Sequence, residues 1–175
     1  MPINATQHIW FNGKLIPWEK ATVHVLSHAL HYGSSVFEGV RAYETPRGVA
    51  IFRLKDHTRR LFDSAKIYRI VIPFTQDEIN AACREVVSSN GLVNGAYLRP
   101  VAFRGYGEIG VAPKIDPPVE VAVAAWEWGK YLGAEQWGVR AEFVDTTDLG
   151  AVERALDPGV SLLWVETPSN PLLRV

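Results

Sequence analysis

The chain is poor in the features that mark specialised proteins. Cys83 is its one cysteine, so an intramolecular disulfide is impossible and a reducing cytoplasm is the expected compartment. No apolar run approaches the ~18 residues needed for a membrane-crossing helix. The opening stretch, MPINATQHIW, lacks the basic and apolar regions of a secretory leader. Neither sign of charge is in excess. Lys and Arg number 18 against 19 Asp and Glu, a net charge of −1, so no basic footprint points to nucleic acid and no acidic arm points to a disordered partner segment. No internal repeat or low-complexity tract occurs.

What is present is a globular composition. The 175 residues are 47% hydrophobic and 21% charged, enough for one domain, or one domain and a fragment. Six Trp, six Tyr and seven Phe suit either a lined pocket or a solid core.

Local signals place the elements. HIWFNGKLIPW reads as a hairpin, because Asn12-Gly13 is the preferred pair where both turn residues need positive φ. SHALHYG reads as a short helix ended by Gly33. SVFEGVRAY reads as one strand, and TPRG as a turn before a second strand over Val49–Leu54. KDHTRRLFDSAKIY has helical spacing, with Leu61, Ala65 and Tyr68 on one face. Thr75 and Glu78 form a capping box, opening a helix that runs to about Ser89 and stops at Asn90-Gly91. AYLRPVAFRG reads as a strand in which Pro100 implies an edge or a bulge. A loop rich in Pro and Gly, 105–118, leads to a last strand, VEVAVAAWEW. After Gly138 the texture changes. VRAEFVD, TDLGAVERAL and VSLLWVETP read as strand, helix and strand, a βαβ unit whose last strand is apolar on both faces, as in a parallel sheet.

Several clusters could carry chemistry. GYGEIG (105–110) matches the dinucleotide pattern G-x-G-x-x-G, but VAPKIDPP follows, and its prolines forbid the helix that would hold a pyrophosphate. His24, His28 and His31 are spaced to crowd a helical face. Without an HExxH motif or cysteine partners, a structural role is favoured over zinc. Arg59, Arg60, Lys66 and Arg69 make a basic helix, which leaves an anion site and a solvated face equally open. Tyr97 and Arg99 alternate along one strand and so share a face, where Trp128 could join them to hold a carboxylate beside an apolar group; spacing alone leaves an ordinary half-exposed sheet face as the plainer reading.

The segments IWFNGKLIPWEKATVHVLSHALHYGSSVFEGVRAY, RLFDSAKIYRI, YLRPVAFRG and AAWEWGKYLGAE resemble the N-terminal small domain of branched-chain amino acid aminotransferases, fold-type IV pyridoxal phosphate enzymes. The likeness runs over about residues 8–136. It implies an α/β fold, a class IV aminotransferase small domain with a mixed, largely antiparallel sheet and two helices over 1–136, to which the βαβ fragment read from the tail is appended over 137–175. It also implies pyridoxal 5′-phosphate as cofactor and amino group transfer between Leu, Ile or Val and 2-oxoglutarate. By the same likeness Arg60 contacts the cofactor phosphate, and Tyr32, Phe37 and Trp128 line the substrate side-chain pocket. Tyr97 and Arg99 receive the substrate carboxylate. Amino acids and 2-oxo acids are the implied small-molecule partners, with neither nucleic acid nor membrane, and the chain is expected to form a homo-oligomer.

Transamination also needs a cofactor lysine and an acid beside the pyridine nitrogen. In this family both lie in the large C-terminal domain. Lys14, Lys20, Lys55, Lys66, Lys114 and Lys130 are the lysines here, and none lies in a segment resembling the cofactor-lysine motif. The tail, GVRAEFVDTTDLGAVERALDPGVSLLWVETPSNPLLRV, resembles instead the cystathionine γ-synthase and methionine γ-lyase family, of fold type I. That likeness would put Asn170 beside a cofactor ring and Glu166 nearby. The expectation is therefore a truncated or chimeric aminotransferase chain, inactive alone. The alternatives are a noncatalytic fusion or scaffold chain and, less favoured, a γ-lyase or γ-synthase fragment.

Overall fold

Asn12 and Gly13 take φ values of +47° and +95°, the pair of positive angles that closes a tight hairpin. In the computed structural model this turn joins β1 (His8–Phe11) to β2 (Lys14–Pro17). The Asn12 side chain also accepts from the Val121 amide at 2.8 Å, which fastens the turn to the last strand. The structure describes residues 3–127 together with 150, 153 and 154. The chain divides into two units, Met1–Gly129 and Lys130–Val175. The expected βαβ fragment of 137–175 and the domain boundary at 136 lie outside the described residues.

The remaining elements are α1 (His28–Tyr32), β3 (Ser35–Phe37), β4 (Val40–Thr45), β5 (Gly48–Ile51), α2 (Leu54–Ile67), α3 (Gln76–Ser89), β6 (Ala96–Arg104) and β7 (Val119–Trp126). The strands form one sheet in the order β2-β1-β7-β6-β4-β5, with β3 also paired to β6. Every pairing among the described strands is antiparallel. The expected small sheet with two long helices is present; α1 is a single short turn ended by Gly33 in the left-handed region.

The core is built by alternation. Leu98 and Ala102 of β6, Val121, Val123 and Ala125 of β7, and Val40 and Ala42 of β4 are buried on one face of the sheet. Helices α2 and α3 cover that face with Leu61, Ala65, Ile79, Cys83 and Val86. Thr58 donates to Asn80 at 2.7 Å, a buried link between the two helices. The capping box forms as expected: Thr75 Oγ1 accepts from the Glu78 amide and Glu78 accepts from the Thr75 amide.

Four expectations are corrected. SVFEGVRAY is two strands, because pairing lapses at Glu38-Gly39. The second strand ends at Ile51, and Leu54 already begins α2. Tyr68 does not share the buried face of Leu61 and Ala65. It follows the last turn of α2 and is 58% exposed. Pro100 lies neither on an edge strand nor in a bulge, since β6 is paired on both sides. On the β3–β4 side, Glu38 and Gly39 face Arg99 and Pro100, two residues against two, and the Glu38 amide donates to the Pro100 carbonyl at 2.9 Å. A residue's N and C=O point to the same side of a strand, so the missing Pro100 N–H faces the lapse in the ladder.

Leu61 is fully buried between α2, α3 and the sheet. Leu61→Ala should destabilise the unit by about 2–5 kcal/mol, read as a lowered midpoint in urea unfolding at unchanged slope.

Candidate functional site

The lapse at Glu38-Gly39 organises two side-chain clusters, because successive residues point to opposite faces of a sheet. Glu38 turns to the helix side and is 3% exposed. Its carboxylate accepts from Arg60 Nε and Nη2 at Oε1 and Oε2, both at 2.5 Å, and lies 2.9 Å from His57 Nδ1. His57 and Arg60 are three residues apart on α2 and so meet on one helix face. Burial by itself would raise the Glu38 carboxyl. The His57 hydrogen bond and the Arg60 fork outweigh it and hold the group below its ordinary value of 4.5. The fork also holds the Arg60 guanidinium above its ordinary range. Arg60 keeps 35% of its side chain exposed, and Nη1 has no partner among the described residues.

Phe37 and Gly39 turn to the other face, which carries Tyr97 and Arg99 of β6. Arg99 Nη2 donates to the Tyr97 hydroxyl at 2.9 Å. The Arg99 guanidinium carbon stands 4.3 Å from the Phe37 ring centre and 5.3 Å from that of Tyr97. Trp126 completes the row, its ring 5.1 Å from that of Tyr97. Arg99 Nε is shut from solvent with no hydrogen-bond partner among the described residues. Gly39 makes the approach possible: a Cβ there would overlap the Tyr97 hydroxyl.

Of the residues expected at a site, then, Phe37, Tyr97 and Arg99 come together. Arg60 belongs to the neighbouring Glu38 cluster, joined to the first through the backbone of residues 37–39. Tyr32 belongs to a different set of contacts, its ring 4.5 Å from that of His28. Trp128 lies outside the described residues. Glu38 and His57 were not expected. The signals for them were an acid inside an apolar strand before glycine, and a histidine three residues ahead of Arg60.

The other clusters have protein partners of their own. His28 sits 2.7 Å from Ser34 Oγ and 3.0 Å from the Gly110 carbonyl, and His31 bonds the Val25 carbonyl. No group of metal-binding side chains occurs among the described residues. Arg69 is not on the basic helix; it lies past the end of α2 with φ of +53°. Among the described residues, GYGEIG leads to β7 with no helix between. Burial pushes the Cys83 thiol up to about 12, so it is no nucleophile near neutral pH. The grooves lined by Thr45–Ala50 and by residues of β5 and α3 touch neither arginine cluster.

The model of the family "Amino-transferase class IV" matches residues 35–150. The chain belongs to the class IV aminotransferases. A branched-chain-amino-acid aminotransferase of Escherichia coli K12 is 49% identical over 135 residues, 77% of this chain and 43% of that protein. One from Pseudomonas aeruginosa PAO1 is 53% identical over 75% of this chain and 43% of its own length. The crystal structure of the Escherichia coli enzyme superposes with a TM-score of 0.70 over 74% of this chain and 42% of that one. The T.th. branched-chain amino acid aminotransferase complexed with N-(5′-phosphopyridoxyl)-L-glutamate gives a TM-score of 0.68 at 54% identity, over 73% of this chain and 42% of that one. This class IV chain thus spans less than half the length of the relatives it matches. Its small-domain fold is the one the sequence led us to expect. Residues 131–175 match a second model, "Cys/Met metabolism PLP-dependent enzyme". No described helix is long and apolar enough to cross a membrane.

A carboxyl held below 4.5 in the folded state stabilises the fold above that pH and ceases to do so as pH falls through its depressed value. Acid unfolding of the wild type should steepen below pH 4.5. Glu38→Gln should be less stable at neutral pH and flatter in that window. Parallel curves from near-UV circular dichroism would remove Glu38 as the responsible group.

Proposed function

We propose that this unit forms one wall of a branched-chain aminotransferase site, in which an amino group passes between Leu, Ile or Val and 2-oxoglutarate. The observation that carries the reading is Arg99, held between the Phe37 ring and the Tyr97 hydroxyl. A cation beside an aromatic surface suits a carboxylate attached to an aliphatic chain. Tyr97 and Arg99 receive that carboxylate and Phe37 supplies the apolar wall beside them, to which Trp128 and, from its separate place beside His28, Tyr32 contribute by family resemblance. The domain boundary falls near 136, and 137–175 belongs to the stretch that matches the second family. The protein works in the cytoplasm as a homo-oligomer.

The residues present fit one end of pyridoxal 5′-phosphate. Arg60 offers unspent N–H donors on a partly exposed edge, which suits a phosphate. When bound, the cofactor supplies the electron sink for transamination. The chain's own residues bind and orient. Nothing described fits the reacting end, since Lys14, Lys20, Lys55, Lys66 and Lys114 are all exposed. The names of the relatives support this reading, as do the ligands in the T.th. structures, pyridoxamine 5′-phosphate among them. A second reading, a noncatalytic chain, is favoured by the same exposed lysines.

The purified chain should bind 4-methylvalerate weakly, and Arg99→Gln should weaken that binding about tenfold by loss of a charged partner. Turnover of leucine with 2-oxoglutarate should be negligible. Measurable turnover, or a stoichiometric lysine adduct of the cofactor reducible by borohydride, would overturn the one-wall reading. Failure to bind either cofactor or carboxylate would favour the noncatalytic chain.

A further inference from the structure

We propose that Glu38 is the positioning residue of an anion site at Arg60: it grips the inner edge of the guanidinium and thereby presents the outer edge to a phosphate. The inference rests on the reading of Arg60 as the cofactor's phosphate anchor. A guanidinium has five N–H donors in a rigid fork. Nε and Nη2 each give one to Glu38, which leaves three, and Nη1 has no partner among the described residues. The grip is itself fixed. Glu38 is 3% exposed, and His57 Nδ1 stands 2.9 Å from its Oε2. Glu38 comes from the lapse between β3 and β4, whereas Arg60 and His57 come from α2, so the sheet and the helix jointly set the guanidinium's direction.

Two effects of Glu38 on a bound anion have opposite signs. A free arginine loses rotamer freedom each time it binds, and a gripped one has lost it already on folding. Against this, a carboxylate so close repels an anion. The structure favours the first effect, because the fork answers the Glu38 charge within the cluster while the outer edge stays open.

The test compares pyridoxal 5′-phosphate with pyridoxal, which lacks the phosphate, on the full chain. Titration by dialysis gives an affinity ratio, and because the two ligands are the same for every variant, its change from wild type reports the phosphate contact. Wild type should prefer the phosphorylated ligand, and Arg60→Gln should abolish the preference. Glu38→Gln should lower the ratio about tenfold, the effect of freeing one rotamer-rich side chain. A merely structural loss would weaken both ligands together and leave the ratio unchanged. Glu38→Asp keeps the charge but shortens the reach. It should lower the ratio too, and it serves if Glu38→Gln fails to fold. An unchanged or raised ratio in either folded Glu38 variant, with the preference still lost in Arg60→Gln, would overturn the positioning role and leave the Arg60 reading standing. A ratio indifferent to Arg60→Gln, or no phosphate preference in wild type, would overturn both.

Discussion

A carboxylate removed from water persists only if its charge is answered, and Glu38 is answered twice, by Arg60 and by His57. That cluster ties α2 to the sheet at the one place where β3 and β4 part. Its consequences reach both faces. With Glu38 committed to the helix side, its neighbours Phe37 and Gly39 are committed to the other. Phe37 then supplies the ring beside Arg99, and the bare Gly39 leaves room for the Tyr97 hydroxyl. One half-buried ion pair therefore helps to fix where both arginines stand.

The central strand makes this possible because it tolerates an interruption. β6 carries a proline in mid-strand, where a ladder hydrogen bond would normally be lost. Here the neighbouring chain is already unpaired at Glu38-Gly39, so the missing donor coincides with a gap. The Pro100 carbonyl still accepts from the Glu38 amide and keeps the two segments in register. On the other side β6 pairs with β7 over eight residues, from Tyr97 opposite Trp126 to Arg104 opposite Val119. This unbroken pairing places the Trp126 ring against Tyr97 and keeps the apolar alternation of both strands facing α2 and α3.

The parts legible in the sequence were those with a local physical cause. Asn12-Gly13 announces its turn because few residue pairs adopt two positive φ angles, and Thr75 with Glu78 announces its helix because the cap is closed within four residues. Gly33 and Asn90-Gly91 likewise mark the helix ends. The lapse at Glu38-Gly39 was hidden because SVFEGVRAY keeps a strand-like composition across it, and nothing local shows where a neighbour will stop pairing. Pro100 signalled an irregularity correctly but not its location, which lies in the adjoining strand. Tyr68 continues the helical period of Leu61 and Ala65, yet the helix ends before it. At the site, Tyr97 and Arg99 were legible from alternation. Arg60 stood out from its basic neighbours only through family resemblance, and Glu38 and His57 were missed because their contact spans 19 residues.

Both arginines are held by the protein before any ligand arrives, Arg60 by a carboxylate and Arg99 by a hydroxyl and a ring. Cations fixed in this way lose little freedom on binding, so more of each ion-pair interaction remains as affinity and orientation. They do not by themselves move a proton or form a bond, because a guanidinium stays protonated throughout the useful pH range. A lysine suited to such chemistry is desolvated or placed beside another cation, and none of the five described lysines is buried. On the reading proposed above, the two arginines serve recognition, while the described lysines all lie exposed to water. A site assembled this way can retain selective binding where turnover is absent, and binding measurements report its integrity more directly than rates do.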